Sequence, residues 1–137
     1  MQSKLLALLQ PDDDDDEESR PQQVLSEVVV FHSPVRDYQG RADVAHILSM
    51  IGRALDQINA ERELAADHKI VTLITAFHRD EQMKGVLYET HDAAGGIERA
   101  ALLLGPRATF RRAIADVVAA LEQSPLPSMA DAESRRQ

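Results

Sequence analysis

The stretch Val28-Val29-Val30-Phe31-His32-Ser33-Pro34 orders the reading of everything around it. Four β-branched or aromatic residues in succession favour an extended backbone. Pro34, which cannot donate to a sheet ladder, closes a strand running from about Val28 to Ser33. His32 and Ser33 therefore stand at a strand end, where the sheet holds the backbone and a polar side chain can reach a cleft. The plainer role is structural, with Ser33 capping the turn that Pro34 begins.

Upstream of that strand, Ser19 and Pro21 mark the start of a short helix that turns Val24 and Leu25 inward. Before it, Asp12 to Glu18 is an unbroken run of seven acids. Such a run repels itself and reads as a solvated loop, since it lacks the alternating ligands and central glycine of a calcium loop. The chain of 137 residues has a formal net charge of -8, so without the run it is nearly neutral. At the N-terminus, Gln2 to Gln10 forms a short helix whose Leu5, Leu6, Leu8 and Leu9 must dock, because so few residues do not hold a helix in water.

Downstream, Tyr38-Gln39-Gly40 reads as a turn, and from Arg41 the residues Val44, Ile47, Leu48, Ile51 and Leu55 follow the helical period, with Asp43 and His46 on the far face. From Asp56 to His68 local propensity favours continuing that helix, while Ile58, Ala60, Arg62 and Leu64 also allow a weak alternation. Ile70 to Phe77 is apolar on both faces and reads as a strand buried twice over. Asp80-Glu81 is a turn, Met83 to Thr90 and Ile97 to Leu104 are two more strands, and the three form a meander. Phe110, Ile114, Val117, Val118 and Leu121 mark a last helix, ended by Ser124-Pro125, and Leu126 to Gln137 reads as a frayed tail. The order of elements predicts an α+β fold.

Composition removes several classes of function. Hydrophobic residues make up 44% and charged residues 28%, an ordinary globular balance, while aromatics are only 4%. An acidic chain with few aromatic platforms does not suit nucleic acid. No stretch approaches the roughly 20 apolar residues of a membrane span, and the lack of cysteine removes disulfides and thiolate chemistry and suits the cytoplasm. No phosphate loop, dinucleotide fingerprint or nucleophile elbow is present. His32, His46, His68, His78 and His91 never pair at helical ligand spacing, so no metal or other cofactor is expected. Arg107, Arg111 and Arg112 at the start of the last helix leave room for an anionic partner, but such arginines ordinarily lie in water, where acids of a neighbouring loop, the Asp12 to Glu18 run among them, can neutralise them.

The residues Val29 to Val35, Gly40-Arg41, Glu63-Leu64-Ala65, Gly85-Val86 and Asp92 to Ile97, taken in this order across about Pro21 to Leu121, resemble the SnoaL-like (polyketide-cyclase-like) branch of the nuclear transport factor two-like superfamily. That resemblance implies a cone: a strongly curved mixed or antiparallel sheet wrapped around N-terminal helices, with a C-terminal helix and an apolar pocket at the open end. It implies a strand between Gln57 and Ala66, against local propensity, and a second copy on the outer sheet face around Val86 and Tyr88. It also implies a site to check residue by residue. Ser33 stands where ketosteroid isomerases carry a catalytic Asp, Met83 where they carry an oxyanion acid, and Leu87 where cyclase-like relatives carry an Asp.

The organisation expected is residues 1–20 as helix and acidic loop, 21–123 as one cone-shaped domain, and 124–137 as a flexible tail. The pocket is expected to be lined by Phe31, Ser33, Tyr38, Ile47, Ile51, Leu73, Met83, Leu87 and Leu103, with His32 as a polar group beside it. With no catalytic carboxylate at the matching positions, the reading is a homodimeric binder of a small apolar molecule. The alternatives are a cyclase, isomerase or dehydratase relying on His32, Ser33 or Tyr38, and a pure dimerisation module.

Overall fold

The computed structural model describes residues 3–10 and 24–129. The elements in chain order are α1 (Lys4–Leu9), β1 (Leu25–His32), β2 (Asp37–Gln39), α2 (Arg41–Ala54), β3 (Asp56–Ala66), β4 (Lys69–His78), β5 (Glu81–His91), β6 (Ile97–Gly105) and α3 (Arg107–Gln123). The acidic run and most of the helix expected after Ser19 lie outside the described residues. Leu25, expected on that helix, instead opens β1, and it is buried.

Six strands form one mixed sheet in the order β2-β1-β6-β5-β4-β3. β3 to β6 are an antiparallel meander, and β1 joins β6 in parallel. β3 resolves the ambiguous segment: it is a strand, as the resemblance implied. Pairing with β4, which sets Leu64 opposite Val71 and Ala65 opposite Ile70, outweighs the helical propensity of its Ala, Glu and Arg residues. Its register shifts between Asp56 and Asn59 and between Ala60 and Arg62, irregularities of the kind that bend and twist a strand.

Side-chain parity divides the sheet into two faces. Ile74, Ala76, Met83, Leu87, Ala100 and Leu102 point inward and are buried with Val29 and Phe31 under Leu5 and Leu9 of α1, Val44, Ile47, Leu48 and Ile51 of α2, and Phe110, Ala113 and Val117 of α3. The other parity sets Leu73, Val86 and Leu103 in one row across β4, β5 and β6, and Leu64, Val71, Tyr88 and Ala101 in the next.

Two local expectations change. Tyr38 and Gln39 belong to a strand rather than a turn, with Tyr38 opposite Phe31, and the bend falls on Gly40 at a φ of 90°. The start of the tail is docked. Leu126 is buried in the core, the Ser128 hydroxyl and N–H donate to Asp43, and His46 donates to the Ser124 carbonyl, so the far face of α2 that carries Asp43 and His46 is crossed by the chain after α3. No described helix is long and apolar enough to cross a membrane.

Candidate functional site

Two concavities flank the contact between α2 and α3. The first is an apolar cavity of about 40 Å³ bounded by Ile47, Ile51 and Ala54 of α2, Leu102 and Leu104 of β6, and one side of α3, with Ser33, Val35 and Tyr38 at its edge. The i, i+4 spacing of Ile47 and Ile51 puts them on one face of α2. The spacing of Phe110, Ile114, Val117 and Leu121 does the same on α3.

Polar chemistry there is limited. The Ser33 hydroxyl donates to the Arg36 carbonyl at 2.8 Å and accepts from the N–H groups of Val35 and Arg36, so it is committed to its own turn. The Tyr38 ring stacks on Phe31 at 6.2 Å, with the Arg36 guanidinium 5.0 Å from its centre. Burial raises the phenol above its ordinary value, against the smaller opposing effect of Arg36, so at neutral pH it keeps its proton and can donate.

Of the residues expected to line the pocket, Ser33, Tyr38, Ile47 and Ile51 meet at this cavity. Phe31, Met83 and Leu87 face inward but are fully buried in the core. Leu73 and Leu103 are corrections: they lie on the outer face, 39% and 60% exposed. A strand apolar on both sides gives no sign of its parity until its neighbours set the register, here Ile74 opposite Gly85 and Leu102 opposite Leu87. His32 does not line the cavity either, and its Nδ1 donates to Asp37 at 2.8 Å.

The second concavity is a polar cleft of about 430 Å³ between the end of α2, the β4–β5 turn and α3. His78, only 2% exposed, donates from Nε2 to the Asp116 carboxylate at 2.6 Å, and Arg79 Nη2 donates to the same group. The hydrogen bond from His78 and then the charge of Arg79 hold the Asp116 carboxyl below its ordinary value. Beside the cleft, Glu81 accepts from the Thr109 hydroxyl and from Arg112. The Thr109 bond is the larger cause of its lowered pKa. Among the described residues, Glu81 at the start of β5 is thus the acid that meets Arg112.

A third polar cluster is structural. Glu89, wholly buried, accepts from the Ser3 hydroxyl at 2.6 Å, the N–H groups of Lys4 and Leu5, and His91 Nε2. It supplies the acceptors that the first turn of α1 lacks. Sequence reasoning missed Glu89 and His78, yet both share parity with buried neighbours, two residues after Leu87 and after Ala76. Among the described residues no group of three or more His, Cys, Asp or Glu side chains is arranged to hold a metal ion.

Comparison with solved structures decides the architecture. An uncharacterised bacterial protein with a cystatin-like fold from Silicibacter pomeroyi superposes with a TM-score of 0.76 at 20% identity, over 88% of this chain and 86% of its own. A steroid delta-isomerase from Pseudomonas aeruginosa gives 0.74 at 19%, over 90% of this chain and 95% of its own. The chain has the nuclear transport factor two-like fold. A SnoaL-like family protein from Agrobacterium tumefaciens gives 0.61 at 14%, over 75% of this chain and 92% of its own. At these identities the likeness is one of fold alone. No family model matches the chain, and no curated protein matches it. Within this nuclear transport factor two-like fold, the positions that the resemblance assigns to catalytic acids hold a turn-bound Ser33 and the buried Met83 and Leu87.

Proposed function

We propose that the protein binds a small apolar molecule between α2 and α3, without acid-base chemistry at that cavity. One observation carries this reading: the only polar side chains lining the cavity among the described residues are Ser33, whose hydroxyl its turn consumes, and the protonated Tyr38. Burial is then the main source of affinity, with the phenol as a single orienting donor.

The space of about 40 Å³ is well below the roughly 150 Å³ that admits benzene, so a ligand widens it by moving α3 outward. Val118, half exposed, sits on the lip where that movement opens the cavity. Hexanol at ten times its Kd stabilises by about 1.4 kcal/mol, roughly 4 °C in Tm for a domain of this size. Val118→Arg changes an exposed position, so the variant folds and loses the shift. A wild type that shows no shift, or a Val118→Arg variant that shifts equally, would overturn the reading.

We also propose that two copies pair through the outer sheet face. Leu64 of β3, Leu73 of β4 and Leu103 of β6 are 49%, 39% and 60% exposed, and Val86 of β5 stands between the last two. A contiguous apolar surface of this kind favours a protein partner, and an isologous contact needs only a second copy of the same face.

A further inference from the structure

We propose that the polar cleft binds the carboxylate of a small organic acid whose apolar part lies in the neighbouring cavity. This rests on the cavity being a ligand site, and it names the class of ligand. Ala54, the last residue of α2, lines both spaces.

The polar side is built to receive an oxyanion. Asp116 holds the His78 ring in place through Nε2 at one wall of the cleft. Arg79 is three-quarters exposed and meets Asp116 through Nη2 alone, leaving the donors on Nη1 and Nε for a second oxygen acid. Asp116 already has two cationic or hydrogen-bonding partners, and Glu81 across the turn is engaged by Thr109 and Arg112, so neither is an uncompensated negative charge facing the ligand. The remaining charged groups lining the cleft, Arg53 of α2 and Asp56 of β3, are one of each sign. A purely structural tether between β4 and α3 accounts for the His78–Asp116 contact but not for an open space of about 430 Å³ beside it. An acid with a short apolar chain uses both features: the head meets Arg79 beside the His78–Asp116 pair, and the chain passes Ala54 into the apolar cavity.

The test is calorimetric titration of the full chain with hexanoate, hexanol and acetate. Hexanoate is expected to bind at least tenfold tighter than either of the others. Arg79→Gln, at an exposed position, is expected to weaken hexanoate about tenfold while leaving hexanol unchanged, and Val118→Arg to weaken both. If hexanol binds as tightly as hexanoate and Arg79→Gln alters neither, the acid site is overturned while the apolar reading stands. Acetate binding as tightly as hexanoate would also overturn it, by showing that the chain adds nothing. Failure of both hexanol and hexanoate to bind would overturn the apolar reading together with this one.

Discussion

The helices at the two ends of the chain are attached to the same inner sheet face by different physics. α1 has six residues, too few to hold themselves, and its unmet N–H groups go to Glu89, a carboxylate with no exposure to water. Leu5 and Leu9 are fully buried, and the Leu9 carbonyl lies where a Cβ on Gly52 of α2 would stand, so only glycine allows the approach. α3 has seventeen residues and carries its own ladder of hydrogen bonds. Its apolar stripe does the docking, while Glu81 at the surface and the buried His78 hold its flank through Thr109, Arg112 and Asp116. A short helix needs an irreplaceable buried acceptor, whereas a long one keeps its polar contacts adjustable, and the adjustable one borders both concavities.

Removing each attachment tests that contrast. The largest effect is expected for Glu89→Ala, about 3 kcal/mol or more, because it strips several buried donors of their acceptor at once. Amides of α1 should lose hydrogen-exchange protection well before those of α3. Asp116→Ala should cost little by comparison, and equal losses in urea unfolding would break the contrast. Next is Gly52→Ala, expected to cost about 1–3 kcal/mol as α1 is forced from α2, with no change in the exchange of α3. A neutral result would mean that α1 docks loosely.

Acid should act on α3 in the opposite order. The pKa values of Glu81 and Asp116 are lowered in the folded protein, so their contribution is fully present above about pH 5. It is lost as pH falls through the ordinary carboxylate range near 4 and the lowered values beneath it. Exchange of the α3 amides, corrected for intrinsic rate, should therefore quicken on acidification through that range, and an unchanged profile would remove these two contacts from the account. The smallest effect on fold stability is expected where neither helix reaches. Leu73→Lys with Leu103→Glu, on the exposed outer face, should shift the folding stability of one copy by roughly 0.5 kcal/mol or less per site. Light scattering should show the same variant falling from dimer to monomer. A wild type that is already monomeric at micromolar concentration would sink the pairing.

Local pattern was enough for α2, α3 and the three-stranded meander, because the period of burial repeats within a few residues and Ser124-Pro125 ends the last helix. It was enough too for Ile47 and Ile51, one helical turn apart on the buried stripe. It was not enough for Leu73 and Leu103, since a strand apolar on both sides reads the same in either register. Nor was it enough for β3, whose own propensities point to a helix and whose extension comes from the partner strand. The acids and the imidazole at the sites depend on partners far along the chain: Glu89 on Ser3, and His78 on Asp116. Sequence by itself determined where the chain is helical or extended in most of its length, and that ionisable side chains are missing from the positions the resemblance marks. Only the tertiary structure decided which face of each strand is inside, how far α3 fills the cavity, and which charges meet. Periodicity is set by near neighbours, while burial and charge pairing are set by whatever the folded chain brings alongside.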